Sequence, residues 1–152
     1  DLKAIEFLEF NYKISNKSGD VDYQEIYSLC DDLHLKRDDL NKKVTSFSKG
    51  MVQKLGIVAT FSAASRLLIL DEPMSGLDPR ARSNLKKVIK KYVGDGKKSI
   101  LFTSHILSDV EYLCDRVAIL HDLEIRYSGK INELMPEKEG SFEDKFLQVI
   151  NS

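Results

Sequence analysis

The stretch LLILDEPMSGLD, residues 67–78, places four apolar residues directly before two carboxylates and a proline. A short continuous apolar run is typical of a strand buried on both faces of a parallel sheet. Ligands of open α/β sheets lie at the carboxyl ends of the strands, so Asp71 and Glu72 are expected to face one. Such a pair suits a hydrated Mg²⁺ and an attacking water, with Asp71 orienting the ion and Glu72 taking the proton. The pattern by itself equally fits an acidic helix cap followed by a turn at Pro73.

The composition is that of a folded globular domain. The chain has 152 residues, of which 42% are apolar and 31% charged, which argues against disorder. The net charge is 23 − 24 = −1, so no global field attracts nucleic acid or an anionic membrane. The basic run at 86–91 interleaves with an apolar stripe, which favours the solvated face of a helix over a polyanion site. Cys30 and Cys114 lie in apolar helical patterns and are predicted to be small buried residues.

The first third of the chain is predicted to be helical. Apolar residues recur at helical spacing through residues 2–12 and again through 26–33, with Asp20 as a candidate cap of the second helix. The charged segment 36–43 shows no core pattern. From Ser48 another helix is predicted, whose inward residues are listed here: Val52, Leu55, Val58 and Ala59.

Strands and helices alternate after residue 66, which predicts an α/β layer on a mainly parallel sheet. Predicted strands cover 67–70, 99–103 and 117–120, with an antiparallel partner at 124–129. Amphipathic helices are predicted between these strands, and a last helix is predicted at 141–150. No apolar run approaches the roughly 20 residues of a membrane span.

Two further features surround the carboxylate pair. The segment SGLD, 75–78, follows at once, with Gly76 suited to a tight turn and Asp78 placed to cap a helix that begins near Pro79. The next strand ends in Ser104 and His105. His105 is therefore expected at the same sheet edge, where an imidazole can meet a terminal phosphate.

A third feature precedes them, the segment FSKGM at residues 47–51 before a long helix. Ser48 at the helix start and a flexible Gly50 leave backbone N–H groups at the positive end of the helix dipole, which suits a phosphate. By itself this pattern is also an ordinary serine cap.

The order of these features resembles the ATP-binding-cassette (ABC) ATPase family. FSKGM resembles its signature motif, LLILDEP its Walker B strand, SGLD its D-loop and Ser104–His105 its H-loop. The resemblance covers the whole chain and implies a partial P-loop NTPase fold of RecA-like type. It implies a helical subdomain with the signature motif at 1–66 and the C-terminal part of the ATPase core at 67–152.

The resemblance also implies ATP and Mg²⁺ as cofactors. By it, Asp71 helps to hold Mg²⁺, Glu72 activates the attacking water, His105 contacts the γ-phosphate and Asp78 links two sites across a dimer. Signature residues bind the nucleotide of the other subunit: Ser48, Lys49 and Gly50, with Ser48 and Gly50 on the γ-phosphate. The signature departs from Leu-Ser-Gly-Gly-Gln at three positions, Phe47, Lys49 and Met51.

The implied partners are a second ABC ATPase subunit, packed head to tail, and separate transmembrane permease subunits. The implied location is the cytoplasmic face of the membrane, and no nucleic-acid partner is expected. The Ser-Lys-Gly-Met form resembles the branch that exports drugs, lipids or polysaccharides, which favours export. A soluble ABC ATPase without a transport role and an inactive interaction module both remain open alternatives.

One family element is missing from the sequence. It contains no Gly-x-x-x-x-Gly-Lys-Ser/Thr loop to hold the β- and γ-phosphates, and no counterpart of the family's glutamine loop or adenine-stacking aromatic. These are expected before residue 1, so the chain resembles the C-terminal two-thirds of an ABC ATPase domain. In the family, the phosphate-loop strand lies between the strands predicted at 99–103 and 117–120. Its absence predicts that these strands pair with each other, that another chain fills the gap, or that the sheet is split.

Overall fold

The computed structural model describes residues 1–15, 20–63, 65–94, 96–135 and 140–151. These form two compact units, Asp1–Thr103 and Ser104–Ser152, and each is described by itself. The boundary between the units falls at the end of the second strand. The division predicted from the motifs, 1–66 and 67–152, concerns subdomains of a larger fold and stays a prediction.

The described residues of the first unit form four α-helices and a two-stranded parallel sheet. The helices are α1 (Ala4–Ser15), α2 (Tyr23–Asp32), α3 (Lys49–Phe61) and α4 (Pro79–Val93), and the strands are β1 (Leu67–Leu70) and β2 (Ser99–Phe102). Two short 3₁₀ helices, Arg37–Asn41 and Val44–Ser46, connect α2 to α3.

The cap of helix α2 lies two residues later than the sequence pattern indicated. The Asp22 carboxylate accepts a hydrogen bond from the Glu25 amide at 2.9 Å, so Asp22 is the cap and the prediction of Asp20 is wrong. A cap side chain must reach the amides of the first helical turn, and only the residue directly before Tyr23 does so. The inner face is formed by Ile26 and Cys30, which are fully buried.

Helix α3 follows the prediction at its start and differs at one position on its face. The Ser48 hydroxyl accepts a hydrogen bond from the Met51 amide at 3.3 Å, which confirms the serine cap. Leu55, Val58 and Ala59 are buried, whereas Val52 is 45% exposed and was wrongly assigned to the core. The connection before the helix also differs, because Leu40 in its 3₁₀ turn is buried.

The sheet of the first unit is open on one face. Strands β1 and β2 pair in parallel, with Leu67 opposite Ser99 and Leu70 opposite Phe102. Leu68 and Leu70 are buried, but Leu67 and Ile69 are 52% and 70% exposed, and Leu101 on β2 is 61% exposed. The prediction that this strand is buried on both faces is therefore wrong for the described residues. The expected strand itself is confirmed.

Helix α4 confirms the interpretation of the basic run. Val88 and Ile89 are buried, while Lys87, Lys90 and Lys91 are exposed. The lysines therefore form the solvated face of an amphipathic helix.

The two cysteines are both free thiols, Cys30 buried and Cys114 partly exposed, and burial raises the pKa of each to about 11.

In the second unit, the described residues form a hairpin and three helices. Helix α5 (Leu107–Leu113) precedes the strands β3 (Arg116–His121) and β4 (Glu124–Lys130), and the helices α6 (Ile131–Leu134) and α7 (Phe142–Ile150) follow. The predicted antiparallel pairing is confirmed, with His121 opposite Glu124 at the turn.

The strands form two separate two-stranded sheets, β1 with β2 and β3 with β4. In the described parts of the chain, β2 has no partner besides β1 and does not pair with β3. Of the three expected outcomes, the pairing of these two strands with each other is therefore not seen in the described residues, and the other two stay predictions. None of the helices that the structure describes is both long and apolar enough to cross a bilayer.

The position of the α2 cap is testable with two matched substitutions. Asp22→Ala should lower the free energy of unfolding by about 1 kcal/mol, because the Glu25 amide loses its acceptor. Asp20→Ala should change it by less than about 0.5 kcal/mol, as surface substitutions usually do. Urea unfolding followed by circular dichroism measures both, and a larger loss for Asp20→Ala would contradict the structure.

Candidate functional site

The parallel pairing of β1 and β2 brings Asp71 beside Thr103. The pairing of Leu70 with Phe102 continues by one further bond, in which the Thr103 amide donates to the Leu70 carbonyl at 3.0 Å. The next side chains along both strands are then neighbours. The Thr103 hydroxyl donates a hydrogen bond to Asp71 Oδ1, with an oxygen–oxygen distance of 2.5 Å. The carboxylate at the end of β1 is thereby held by the end of β2.

Glu72 leaves the strand in a backbone conformation that is unusual for its type. Its φ angle is +45°, in the left-handed region that non-glycine residues seldom adopt. Its amide donates to the Thr103 hydroxyl at 3.0 Å, and its carbonyl accepts from the Ser75 amide at 3.0 Å. One hydroxyl therefore joins both residues of the carboxylate pair, and a turn fixes the chain that follows. Strained backbone of this kind is concentrated at functional sites.

The donor set at this edge fits a hydrated Mg²⁺ ion. Within the described residues, no cluster of three or more histidine, cysteine or carboxylate side chains forms a complete metal cage. Mg²⁺ does not need one, because it usually keeps several waters and binds through one or two carboxylates together with phosphate oxygens. Asp71 is exposed, and the hydrogen bond from Thr103 fixes one of its oxygens. It therefore suits contact with the ion or with a water of its shell.

The turn after the carboxylates ends at the cap of α4. Gly76 has a φ of +73°, which favours glycine at this position. Asp78 Oδ1 accepts a hydrogen bond from the Ala81 amide at 2.9 Å, which confirms the predicted cap. The Lys54 ammonium lies 3.7 Å from Asp78 Oδ2. The Ala81 amide, and then the charge of Lys54, lower the pKa of the Asp78 carboxyl.

The start of α3 lies against this turn, so two of the sequence motifs meet in the first unit. A Cβ atom added at Gly50 would lie 3.5 Å from the Gly76 carbonyl oxygen, an ordinary contact distance. The Gln53 side-chain amide donates to the Pro73 carbonyl at 3.4 Å. Ser48 and Lys49 are exposed at the start of the same helix.

The structure thus brings together Asp71, Glu72 and Thr103, and it places Gly50 near the turn that leads to Asp78. His105 is exposed and belongs to the second unit, so its expected position beside the carboxylates stays a prediction. Thr103 was not predicted from the sequence as a site residue. The available signal was its place as the polar residue directly after an apolar strand, at the same register as Asp71.

Comparisons with known proteins agree with this arrangement. A family model described as "AAA domain, putative AbiEii toxin, Type IV TA system" matches residues 6–108. An uncharacterised ABC transporter ATP-binding protein of Nostoc sp. is 41% identical over 135 residues, which are 88% of this chain and 40% of the relative. A lantibiotic transport ATP-binding protein of Streptococcus pyogenes is 36% identical over 126 residues, 80% of this chain and 54% of the relative. The chain belongs to the ABC ATPases.

Solved structures support the same fold. The ATP-binding subunit of an ABC transporter has a TM-score of 0.83 and 28% identity, and the match covers 98% of this chain and 62% of that one. An ATP-binding cassette in a post-hydrolysis state with ADP and Pi has a TM-score of 0.72 at 19% identity, which shows the fold alone. The predicted P-loop NTPase fold of ABC type is therefore confirmed. This ABC ATPase chain spans about two fifths of the two relatives at 41% and 37% identity.

The charge of Asp78 should make part of the stability of the ABC ATPase chain depend on pH. Its folded-state pKa is lowered, so the charged carboxylate stabilises the fold above its unfolded pKa, and the contribution is lost as pH falls through the folded value. Asparagine also caps helices but carries no charge. Asp78→Asn should therefore be less stable than the unmodified chain at neutral pH, and the difference should vanish between about pH 5 and about pH 2.

Urea midpoints across this range measure the effect, with Asp20→Asn as the control for removing an exposed aspartate. If the stability deficit of Asp78→Asn stayed constant down to the lowest pH, the charge of the Asp78 carboxylate would contribute nothing to stability.

Proposed function

We propose that this chain is part of an ATP-hydrolysing subunit that powers export through separate membrane subunits. The observation that carries the proposal is the edge where Asp71, Thr103 and Glu72 are joined by two hydrogen bonds. The motif order and the names of the relatives support it, including a lantibiotic transport ATP-binding protein. The complete protein would supply the phosphate-binding loop that residues 1–152 do not contain.

The chemistry assigned to this edge is phosphoryl transfer to water, in which positioning and charge stabilisation do most of the work. When bound, Mg²⁺ would neutralise charge on the phosphate oxygens. Asp71 would hold the hydrated ion through its carboxylate. Glu72, one residue later and half-buried, would accept the proton of the attacking water. His105 would contact the γ-phosphate.

The remaining residues act between subunits in this proposal. Ser48, Lys49 and Gly50 at the start of α3 would bind the γ-phosphate held by a second ABC ATPase subunit, because free amides and the helix dipole favour an anion there. Asp78 would link the two sites across the dimer. Residues 1–66 would form the helical subdomain that passes the cycle to transmembrane permease subunits at the cytoplasmic face of the membrane, and 67–152 would belong to the ATPase core.

The role of Glu72 is tested in the complete protein by Glu72→Gln. This change preserves the shape of the side chain and removes its ability to accept a proton. Hydrolysis should fall by a factor of about 10² or more, the range for loss of a general base, while ATP binding is retained. Phosphate release and binding of a fluorescent ATP analogue measure the two properties.

The matched control is Glu111→Gln, at an exposed position on α5. It should leave turnover within about twofold of the unmodified protein, since surface substitutions seldom matter. Turnover near normal in Glu72→Gln would disprove the assignment of the base.

We also propose that residues 1–152 alone do not hydrolyse ATP. The chain supplies a metal ligand, a base and a phosphate contact, but it lacks the phosphate-loop amides, the lysine and the adenine platform that would hold the nucleotide. Without a bound substrate, the advantage of positioning is lost. Phosphate release from the purified chain should equal that of its Glu72→Gln variant. Saturable, magnesium-dependent turnover that this substitution abolishes would overturn the proposal.

A further inference from the structure

The Thr103 hydroxyl contacts both members of the carboxylate pair. It donates its hydrogen to Asp71 Oδ1 at 2.5 Å and accepts the Glu72 amide hydrogen at 3.0 Å. We propose that Thr103 is a positioning residue, which sets the orientation of the Asp71 carboxylate and the backbone conformation of Glu72. The inference rests on the function proposed above, and it concerns a residue that none of the sequence motifs contains.

The geometry demands a hydroxyl at this position. A hydroxyl has one hydrogen to donate and lone pairs to accept, and both capacities are used here. Valine has nearly the same shape as threonine but can make neither bond, whereas serine can make both. The backbone of Thr103 is held separately, because its amide donates to the Leu70 carbonyl at 3.0 Å. Replacing the side chain therefore leaves the strand pairing intact and removes only the contacts to the pair.

The bond to Asp71 determines how its carboxylate can turn. With Oδ1 engaged by Thr103, rotation of the carboxylate about χ2 is restricted, and the second oxygen keeps a defined direction. A hydrogen bond to a charged group is stronger than one between neutral groups, so this restriction is substantial. Partners of metal ligands act in this way, and their loss typically reduces metal affinity or activity by about 10- to 100-fold.

The bond to the Glu72 amide supports a backbone conformation that is unfavourable by itself. Glu72 has a φ of +45°, and a left-handed conformation in a non-glycine residue is strained. Such strain persists only where surrounding contacts hold it. Thr103 holds the amide of Glu72, and the Ser75 amide holds its carbonyl at 3.0 Å. Without the hydroxyl, the backbone at Glu72 can relax, and a small displacement of a catalytic group reduces the rate strongly.

The experiment compares Thr103→Val with Thr103→Ser in the complete protein. Thr60→Val is the matched control, because the Thr60 hydroxyl likewise donates one hydrogen bond, to the Gly56 carbonyl at 2.8 Å, but in the last turn of α3. Thr103→Val should lower kcat for ATP hydrolysis by about 10- to 100-fold, with KM for ATP within about twofold. On a logarithmic scale, the kcat of Thr103→Ser should lie at least halfway from that of Thr103→Val to that of the unmodified protein. The kcat of Thr60→Val should stay within about twofold of the unmodified value.

A second measurement, without nucleotide or metal, reports on the backbone directly. Hydrogen exchange of the Glu72 amide should accelerate by about 5- to 10-fold in Thr103→Val, since one hydrogen bond is lost, and should stay within about twofold in Thr103→Ser. Selective ¹⁵N-glutamate labelling limits the spectrum to glutamate amides, and the signal that disappears in Glu72→Gln identifies Glu72. Unchanged exchange at Glu72 in Thr103→Val would overturn the inference.

The kinetic outcomes separate the alternatives. A kcat for Thr103→Val equal to that of Thr60→Val would also overturn the inference about Thr103. So would a loss of kcat that is fully explained by a lower melting temperature and a smaller fraction of folded protein. If Glu72→Gln in the same protein keeps normal turnover, the proposed function fails. The exchange measurement then still decides whether Thr103 holds the backbone of Glu72.

Discussion

The parallel pairing of β1 with β2 is the constraint on which the candidate site depends. Because Leu70 lies opposite Phe102, the two strands end at the same level, and the residues after them become neighbours although 31 or 32 positions separate them in sequence. A shift of the register by one residue would move the Thr103 side chain to the other face of the sheet, away from Asp71. Burial of Leu68 and Leu70 opposes such a shift, because it would turn both side chains toward solvent.

The helices contribute their amino ends to the same region. Ser48 caps α3, Asp78 caps α4, and the turn between β1 and α4 lies against the first residues of α3. Both caps satisfy amides that would otherwise lack partners, and the buried Lys54 stem brings a positive charge to Asp78. The two caps are local bonds that a short sequence window can encode, whereas the ion pair of Lys54 with Asp78 joins residues that are distant in sequence.

This distinction explains how much the sequence could predict. The caps at Ser48 and Asp78, the strand at 67–70 and the hairpin depend on neighbours within a few residues, and the structure confirms them. The exposed positions of Val52, Leu67 and Ile69 depend on what packs over them in three dimensions, which residue type and spacing do not determine. Thr103 was missed for a related reason. Its role depends on the register of two strands, so its place after an apolar strand becomes informative only when β2 is aligned with β1.

The uncovered face of the β1–β2 sheet has a consequence for the heat capacity of the chain. Leu67, Ile69 and Leu101 are hydrated in the folded state, so unfolding exposes less new apolar surface than it would from a fully covered sheet. The heat-capacity change of unfolding is correspondingly smaller, and the curve of stability against temperature is flatter. Any segment or subunit that covers this face must bind with a negative heat-capacity change, whatever its affinity. Calorimetry would therefore detect the covering of this face as a heat-capacity change, even if the strands themselves did not move.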